Sequence, residues 1–566
     1  MEKAPNNLIV GLITTIIVLV ILWKVVNGVW LRPKKMEKLL RRQGFKGNPY
    51  KFIVGDVKDI IKQTKAALQK PISLDDDHLP RIVCFIHDII QKHGKHCIAW
   101  MGPTPWLIIT DAEKIKDVLT KYEDFQKPNH PFTQLLMVGL FGLEGGTWVK
   151  HRRIINPAFH MDKLKSMFHS IQESCSLMTS SWEEIVSKDG SGSGSGSGSS
   201  EIDVWPYLES LTGDIISRVA FGSSYEKGRK ICALQTEQVN LSIAGPQPSN
   251  YIPGWRFLPT KKNRRVKEIC KEIEESLTGI IDSRKKEMEA GVGTKDDLLG
   301  ILLESNMKEI KENGNEKGKG LTTKEVVDEC KIFYLAGSET TSTLIVWALV
   351  LMSKHPIWQN RARDEVLQVF GKDGVPTFQG LTHLKTVTMI LNETLRLYTP
   401  AYMLLRKVYK DTKLRDMMIP AGTEILLPLC VVHQDVKLWG EDAKEFNPER
   451  FAQGVSNATK GQPIYFPFST GPRFCIGQNL SMLEAKLTLA MILQRFSFTV
   501  SPTYTHAPFA LKVSAKPQKQ FPGTSHNSIE GPHLQLHTKA NWLTTYPQIS
   551  ILEETFGTDV HSAWWC

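Results

Sequence analysis

The strongest hydrophobic pattern in the chain is an apolar run near its N-terminus. LIVGLITTIIVLVILWKVV, residues 8–26, is interrupted only by two threonines, a glycine and Lys24. A helix of this length spans a bilayer, and a lysine near one end reaches the polar boundary. A cleaved signal peptide would have a shorter apolar core preceded by several basic residues, but only Lys3 precedes this run. We therefore predict an uncleaved membrane anchor.

Basic residues dominate the segment that follows the run: Arg32, Lys34, Lys35, Lys38, Arg41, Arg42, Lys46 and Lys51. The positive-inside rule places such a flank, and the body of the protein behind it, in the cytosol. We assign residues 1–35 to the anchor and its basic flank. Because no later run is equally long and free of charge, we expect a single-pass protein.

In most of the remaining chain, apolar residues recur at the spacing of an α-helix. EKIKDVLTKYEDF, FHSIQESCSLMTSSWEEIVSK, LESLTGDIISRVAFG and RRVKEICKEIEESLTGIIDSRKKEMEA carry apolar residues at helical spacing. CIAWMG, PWLIITD and TEILLPLCVV are short apolar runs typical of strands. The pattern predicts a mainly α protein of the α+β class, without regular βαβ alternation.

Two segments do not fit a compact domain. GSGSGSGSGSS, residues 190–200, is a flexible low-complexity stretch between helical segments, and we interpret it as an insertion in a surface loop. Residues 509–566 show little pattern and many Gln, His, Pro, Ser and Thr residues, so we expect an atypical, poorly ordered tail.

Composition narrows the function classes. The 566 residues carry a net charge of +11, which suits acidic partners such as nucleic acid, anionic lipid or an acidic protein surface. A nucleic-acid partner is not expected, because the Lys and Arg residues are dispersed and no binding motif accompanies them. The nine cysteines are scattered without a CxxC pair, which argues against zinc sites and dense disulfides and favours a reducing compartment.

One cysteine lies in an unusual loop, FSTGPRFCIG. A thiolate can ligate haem iron and donate electron density that favours O–O cleavage. Gly471 and Gly477 allow backbone N–H groups to approach the Cys475 sulfur, Arg473 suits a haem propionate, and Phe468 can cover the sulfur. The spacing therefore favours Cys475 as a haem ligand over a chance cysteine.

This loop resembles that of the haem-thiolate monooxygenases, the cytochrome P450 family, and other motifs can be tested against that resemblance. ETLR contains Glu393 and Arg396, which in the family join an arginine of a downstream PERF-like segment, here Arg450 in FNPERF. The resemblance implies a buried structural network that braces the haem loop. Without it, ETLR would be an ordinary surface ion pair.

A second motif, AGSETT, places polar groups within a long apolar helix. Such groups are costly unless they are used. The resemblance implies that Ala336 and Gly337 leave room for dioxygen, and that Glu339 and Thr340 guide water and protons to it. The alternative is a helix kinked by threonine side chains. The acid–threonine pair favours a monooxygenase over a haem-thiolate rearrangement enzyme.

A third set of residues would hold the haem propionates. Trp148 and Arg152 in WVKHR and Arg406 in MLLRKV match the family's propionate-binding positions. With Arg473 they provide three cations for two carboxylates. PFTQLLMVGLFGLEGG, residues 131–146, corresponds to the family's substrate-facing loop, although its apolar residues could equally serve core packing.

The resemblance extends from about Lys38 to Pro508, and residues 36–508 would form the haem domain. GNPYKFIVGD and NPERFAQGVSNATKGQ, among other segments, are similar to the plant family 72, whose members oxidise terpenoid-derived scaffolds. The resemblance implies insertion of one oxygen atom from O2 into a C–H bond of an apolar triterpene-, iridoid- or gibberellin-like substrate. It also implies electrons from NADPH through a flavoprotein reductase, and an endoplasmic reticulum location with the catalytic domain in the cytosol.

The tail departs from this pattern, because the family ends soon after Pro508 with a hairpin that lines the substrate pocket. An alternative hypothesis is therefore a family member that binds haem but is catalytically impaired by its altered C-terminus.

Overall fold

The computed structural model describes residues 4–129, 138–192, 199–222, 225–243, 258–292, 296–312, 314, 320–510, 515–517 and 532–538. Within these ranges the α-helices are α1 (Ala4–Val26), α2 (Arg32–Arg42), α3 (Val57–Leu68), α4 (Leu79–Ile82), α5 (Cys84–His93), α6 (Ala112–Thr120), α7 (Gly139–Gly142), α8 (Gly145–Ile155), α9 (Met161–Gly192), α10 (Val204–Phe221), α11 (Tyr225–Ile243), α12 (Lys261–Glu289), α13 (Leu298–Glu312), α14 (Thr323–Lys354), α15 (Pro356–Phe370), α16 (Lys385–Leu397), α17 (Leu429–Val432), α18 (Val436–Trp439), α19 (Gly454–Ala458) and α20 (Gln478–Arg495). A π-helix spans Asn27–Leu31, and 3₁₀ helices span Asn156–Phe159, Gly380–His383 and Pro448–Phe451.

The strands are β1 (Lys46–Gly47), β2 (His96–Met101), β3 (Thr104–Ile109), β4 (Ser199–Asp203), β5 (Leu404–Lys407), β6 (Thr412–Leu414), β7 (Met417–Ile419), β8 (Glu424–Leu427), β9 (Phe496–Val500), β10 (Pro508–Ala510), β11 (Ala515–Pro517) and β12 (His533–Thr538). A mixed five-stranded sheet has the order β1-β2-β3-β8-β5, and an antiparallel three-stranded sheet has the order β4-β12-β9. Small pairs β6-β7 and β10-β11 complete the β-structure. The predicted mainly α class with small sheets is confirmed.

Helix α14 is the centre of the largest hydrophobic core. Every residue from Thr341 to Ser353 is buried, and α9, α10, α16 and α20 contribute apolar side chains to the same cluster. The helix begins with a capping box, in which Thr322 accepts the Glu325 N–H and the Glu325 carboxylate accepts the Thr322 N–H. Polar groups of AGSETT do not break it, since the helix is continuous through that segment.

Among the residues that the structure describes, two helices are long and apolar enough to cross a membrane. One runs through Ile9–Arg42 near the N-terminus with its apolar window fully exposed, whereas Thr323–Lys354 is mostly buried inside the protein. The second helix is α14, and it is apolar because it lies in the core of the protein. The first matches the predicted anchor and continues through the π-helix Asn27–Leu31 directly into α2.

The last predicted strand is shorter than expected. In TEILLPLCVV only Glu424–Leu427 pairs in the sheet, and Leu429–Val432 forms α17. Pro428 separates the two parts because it has no N–H to donate to a strand ladder.

Parts of the Gly/Ser segment and of the tail belong to regular elements. Helix α9 extends to Gly192, and β4 already begins at Ser199, so both ends of the expected loop insertion belong to regular elements, while residues 193–198 lie outside the described residues. In the tail expected to be poorly ordered, His533–Thr538 forms the central strand of the three-stranded sheet. Sequence patterning missed this strand because its two partners are remote in the chain.

Candidate haem-thiolate site

The loop before α20 is closed by its own backbone. The Cys475 N–H donates to the Phe468 carbonyl at 2.9 Å, and the Phe474 N–H donates to the Gly471 carbonyl at 3.1 Å. Gly471 has φ +73°, and a Cβ on it would lie 2.8 Å from the Leu119 carbonyl oxygen at the end of α6. Only glycine allows both the left-handed backbone and this close approach.

The Cys475 sulfur sits where N–H groups converge. It accepts backbone hydrogen bonds from Gly477 and Gln478, at the N-terminus of α20. The side chain is accessible to solvent, yet desolvation by the surrounding protein raises the pKa of the Cys475 thiol, while the two N–H groups and the Arg152 charge lower it. The loop therefore has donors for a thiolate, but a further positive charge, such as a metal ion, is needed to ionise it fully.

Two of the predicted arginines lie beside this loop. Arg152 of α8 donates to the Phe474 carbonyl at 3.0 Å, and its guanidinium lies 4.6 Å from the centre of the Phe474 ring. The Arg473 guanidinium stacks 4.6 Å from the Trp148 ring centre and forms a 2.6 Å ion pair with Glu144. Helix α8 and the cysteine loop thus hold each other through cation–π and backbone contacts.

These buried cations have unused donors. Arg406 is only 4% exposed, and burial lowers its pKa to about 10. Within the described residues, Nε of Arg406 and both Nε and Nη1 of Arg473 meet no acceptor. Buried guanidinium donors require anionic partners. An accessible thiol in the same region as such donors fits a haem group: the sulfur would hold its iron and the arginines its propionates.

The predicted oxygen-activating residues lie on α14, which is tied to α20. The Thr341 hydroxyl donates to Ser481 at 3.0 Å, six residues after Cys475. The Thr340 hydroxyl donates to the Ala336 carbonyl at 2.6 Å, and Ala336 is exposed. A Cβ on Gly337 would meet Ile216 at 3.2 Å, so the helix packs closely there. Glu339 is partly buried on the same stretch, and its carbonyl accepts from Ser342 and Thr343.

Glu393, Arg396 and Arg450 lie together as expected. Two 2.7 Å hydrogen bonds join the Arg396 guanidinium to the Glu393 carboxylate, and both side chains are fully buried. Arg450 approaches Glu393 at 3.7 Å and forms a 2.7 Å ion pair with Asp442. The Glu393 carboxylate also accepts the Asn447 N–H at 3.0 Å, so the acid is well satisfied.

His433 extends this network to the cysteine loop, and sequence reasoning did not identify it. Arg396 donates to the His433 carbonyl at 2.9 Å, and the His433 ring accepts the Phe466 N–H at 2.8 Å. Burial lowers the pKa of His433 to about 3, so the ring is neutral and can accept. Phe466 stands two residues before Phe468, and the histidine therefore transmits the ion pair's rigidity to the loop.

Sequence reasoning also did not identify the buried pair of Glu329 and His151. Glu329 of α14 is fully buried, and its carboxylate lies 2.6 Å from Nδ1 of His151, the neighbour of Arg152 on α8. The same carboxylate accepts the Leu140 N–H at 3.0 Å. A Cβ on Gly139, whose φ is +59°, would lie 2.9 Å from the Glu329 carboxylate, so α7 needs this glycine to approach. The Glu329 carboxylate therefore joins helices α7, α8 and α14.

The expected substrate-facing loop is described only in part. Residues 130–137 lie outside the described residues, and the remainder forms α7 and the start of α8. Phe141 is 38% exposed, and Leu140 is buried.

Comparison with known proteins decides the family. The family model described as Cytochrome P450 matches residues 80–521. The chain belongs to the cytochrome P450 family. The chain is 52% identical over 534 residues to cytochrome P450 CYP72A219 of Panax ginseng, covering 94% of this chain and 99% of the relative. Identity is 49% to 7-deoxyloganic acid hydroxylase of Catharanthus roseus, over 91% and 96% of the two chains, and 49% to 11-oxo-beta-amyrin 30-oxidase of Glycyrrhiza uralensis, over 88% and 94%.

Membership confirms the resemblance to plant family 72 and makes the protein a monooxygenase that binds haem through a cysteine thiolate. The family also implies dioxygen, a small-molecule substrate and a redox partner. The matched residues extend beyond Pro508, where the resemblance was expected to end.

Proposed function

We propose that Cys475 is the axial ligand of the haem iron and that the protein inserts one oxygen atom of O2 into a C–H bond of an apolar, terpenoid-derived molecule. The observation that carries this assignment is the Cys475 sulfur, which accepts the Gly477 and Gln478 N–H groups beside unpaired arginine donors. Relatives named for 7-deoxyloganic acid and 11-oxo-beta-amyrin support an iridoid- or triterpene-like substrate, and a gibberellin-like one rests on the family resemblance alone.

The arginines and Trp148 would hold the cofactor. Arg406 and Arg473 have free donors that would bind the propionates, and Arg152 adds a third positive charge beside the sulfur. Trp148 lies under the Arg473 guanidinium and keeps it in place. Haem, when bound, supplies the binding and reductive cleavage of dioxygen, which consumes two electrons and two protons and leaves one oxygen atom in the product and one in water.

Residues of α14 would control the protons for that cleavage. The Thr340 hydroxyl donates to the Ala336 carbonyl, and breaking that hydrogen bond would free the hydroxyl to donate to dioxygen or to a water molecule. Glu339 lies beside it and can relay protons from solvent. The small, exposed side chain of Ala336 would leave room for a diatomic molecule at this point of the helix, whereas Gly337 packs against Ile216.

Electrons would come from NADPH through a flavoprotein reductase bound to the same membrane. The net charge of +11 suits an acidic docking face on such a partner. The long apolar helix α1 supports anchoring, and the basic flank after it supports a cytosolic catalytic domain at the endoplasmic reticulum.

The tail supports an active enzyme over an impaired one. Strand β12 supplies the central pairing of its sheet, with Leu534 and Leu536 both buried. A C-terminal segment that completes a sheet of the catalytic domain contributes to the fold on which the haem site depends.

The decisive experiment is the absorption spectrum of the full chain, reduced and saturated with carbon monoxide. A strongly red-shifted Soret band is expected, since it reports a thiolate–iron bond. Cys475→Ser should abolish this band, whereas Cys84→Ser, a matched change at another accessible cysteine, should retain it. Loss of the band in both variants, or its retention in Cys475→Ser, would contradict the assignment.

Substrate class needs a second measurement. Incubation with ¹⁸O₂, reductase, NADPH and a panel of triterpenes and iridoids should give products with one heavy oxygen atom. A protein that shows the red-shifted band but oxidises none of these and supports no NADPH consumption would instead be an impaired family member.

A further inference from the structure

Glu144 stands immediately before α8, at the position from which a side chain usually caps a helix. Its backbone is extended there, with φ −132° and ψ 164°, but its side chain makes no capping hydrogen bond. The carboxylate instead accepts the Lys127 N–H at 3.0 Å and a side-chain N–H of Arg473 at 2.6 Å. Because helix caps are normally Ser, Thr, Asp or Asn, a glutamate that pairs with a buried arginine has a use other than starting α8.

The hydrogen bonds of Arg473 show how Glu144 acts on it. Nη2 of Arg473 donates to the Glu144 carboxylate and to the Leu143 carbonyl, both at 2.6 Å. Its Nε and Nη1 meet no acceptor among the described residues, and the side chain is only 3% exposed. A guanidinium is planar and rigid, so fixing Nη2 and stacking the plane on Trp148 also fixes the direction of the two free donors. Glu144 therefore aims the open edge of Arg473.

The same carboxylate lies where the segments that carry the predicted propionate ligands meet. The backbones of Gln126 and Lys407 exchange hydrogen bonds at 3.2 and 2.7 Å, which pairs the segment before α7 with the end of β5, the strand of Arg406. The hydrogen bond from the Lys127 N–H to Glu144 then joins this pair to the cysteine loop and to α8. One acidic side chain thus connects the three segments that carry the cation cluster, which we define as Arg152, Arg406 and Arg473.

Glu144 also supplies negative charge to this cluster. Desolvation lowers the pKa of Arg406 to about 10 and the Arg473 charge lowers it further, whereas the Glu144 charge raises it. Desolvation lowers the pKa of Arg473 as well, and Glu144 again opposes the change. Among the described residues, Glu144 is the carboxylate that acts on both arginines. With haem bound, the three cations would face three carboxylates, two from the propionates and one from Glu144.

We propose that Glu144 is a positioning residue of the haem site, which aims the Arg473 donors at a propionate and offsets part of the positive charge of the cation cluster. This inference rests on the haem site proposed above. A negative charge beside the propionates disfavours the extra electron of reduced haem, so Glu144 holds the reduction potential below the value that the cations alone would set. The Glu144 side chain is 22% exposed, so solvent screens part of this effect.

Redox titration of the haem in the full-length holoprotein tests the charge. Glu144→Gln keeps the shape of the side chain and removes its charge. At the midpoint potential of the unsubstituted protein, the ratio of reduced to oxidised haem should rise about threefold. This rise corresponds to about +30 mV, since a tenfold change is about 59 mV for one electron. The matched control is Glu113→Gln, which removes the charge of an exposed, ion-paired glutamate on α6 and should leave the ratio unchanged.

The rate of haem transfer to apomyoglobin tests the aiming of Arg473. Glu144→Asp keeps the charge but withdraws the carboxylate by one methylene, so Arg473 loses its support. Haem loss should be at least threefold faster than from the unsubstituted protein, and the reduction potential should change less than in Glu144→Gln. Haem loss at the unchanged rate would overturn the positioning role.

The remaining outcomes are also decisive. An unchanged ratio in Glu144→Gln, or an equal rise in Glu113→Gln, would overturn the charge offset. If Glu144→Gln does not accumulate with haem, the measurement on Glu144→Asp alone decides the proposal. Absence of the red-shifted carbon monoxide band in the unsubstituted protein would reject the haem site itself, whereas failure of the Glu144 proposal alone would leave that band in place.

Discussion

Strand β12 offers the sharpest test of whether the C-terminal segment belongs to the working protein. Leu536 is fully buried and pairs with Ser200 of β4 on one side and Phe498 of β9 on the other. Replacing it with alanine removes three heavy atoms from a packed site between two other strands. Substitutions of this kind cost about 3 kcal/mol. An unfolding equilibrium would shift by roughly a hundredfold, since 1.4 kcal/mol is about a factor of ten.

Leu536→Met is the matched control, because it conserves volume and costs less than about 1.5 kcal/mol. Large membrane-anchored chains often unfold irreversibly, so the half-life of the red-shifted carbon monoxide band at a fixed temperature is the suitable assay. We expect Leu536→Ala to shorten that half-life severalfold relative to Leu536→Met. Equal half-lives would refute the central role of β12, and the hypothesis of a C-terminally impaired enzyme would then gain weight.

Three further predictions concern the groups around the haem loop. Glu393→Ala leaves the Arg396 guanidinium buried without its carboxylate, which should cost about 3–5 kcal/mol and show as loss of haem-containing protein on expression. Burial lowers the pKa of His433 to about 3 in the folded protein, whereas the unfolded chain has the ordinary value of 6.5. Between these two pH values the histidine is neutral in the folded state and protonated in the unfolded state. Stability should fall by up to about 1.4 kcal/mol per pH unit in that window, and His433→Asn should flatten the acid limb of the thermal midpoint. Glu329→Ala removes the contacts that join α7 and α8 to α14, so the ratio of product formed to NADPH consumed should fall. The control is Tyr334→Phe, which deletes another buried hydrogen bond of α14 and should change only the thermal midpoint.

Patterns within a short window were informative about this protein. The apolar run of α1, the periodic helices and the spacing within FSTGPRFCIG are local features, and each was readable without knowledge of the fold. The family motifs could also be placed by residue type and order, and the structure does bring Glu393, Arg396 and Arg450 together.

Contacts between remote segments were not readable in this way. His433 looks like any histidine in an apolar stretch, and only the fold shows that its ring accepts the Phe466 N–H while its carbonyl accepts Arg396. Glu329 and His151 are 178 positions apart, and their pairing depends on how α8 crosses α14.

The sequence by itself determined the long apolar helix near the N-terminus, the helical character of the rest and the placing of Cys475 in a glycine-containing loop, because local composition and spacing encode the periodicity of burial. Only the tertiary structure decided which segment completes the β4-β12-β9 sheet, which buried groups brace the cysteine loop, and how Tyr50 joins the segment after α1 to the rest of the fold. Those outcomes depend on backbone pairing and on packing between distant residues, and a strand such as His533–Thr538 becomes stable only when its neighbours are already in place.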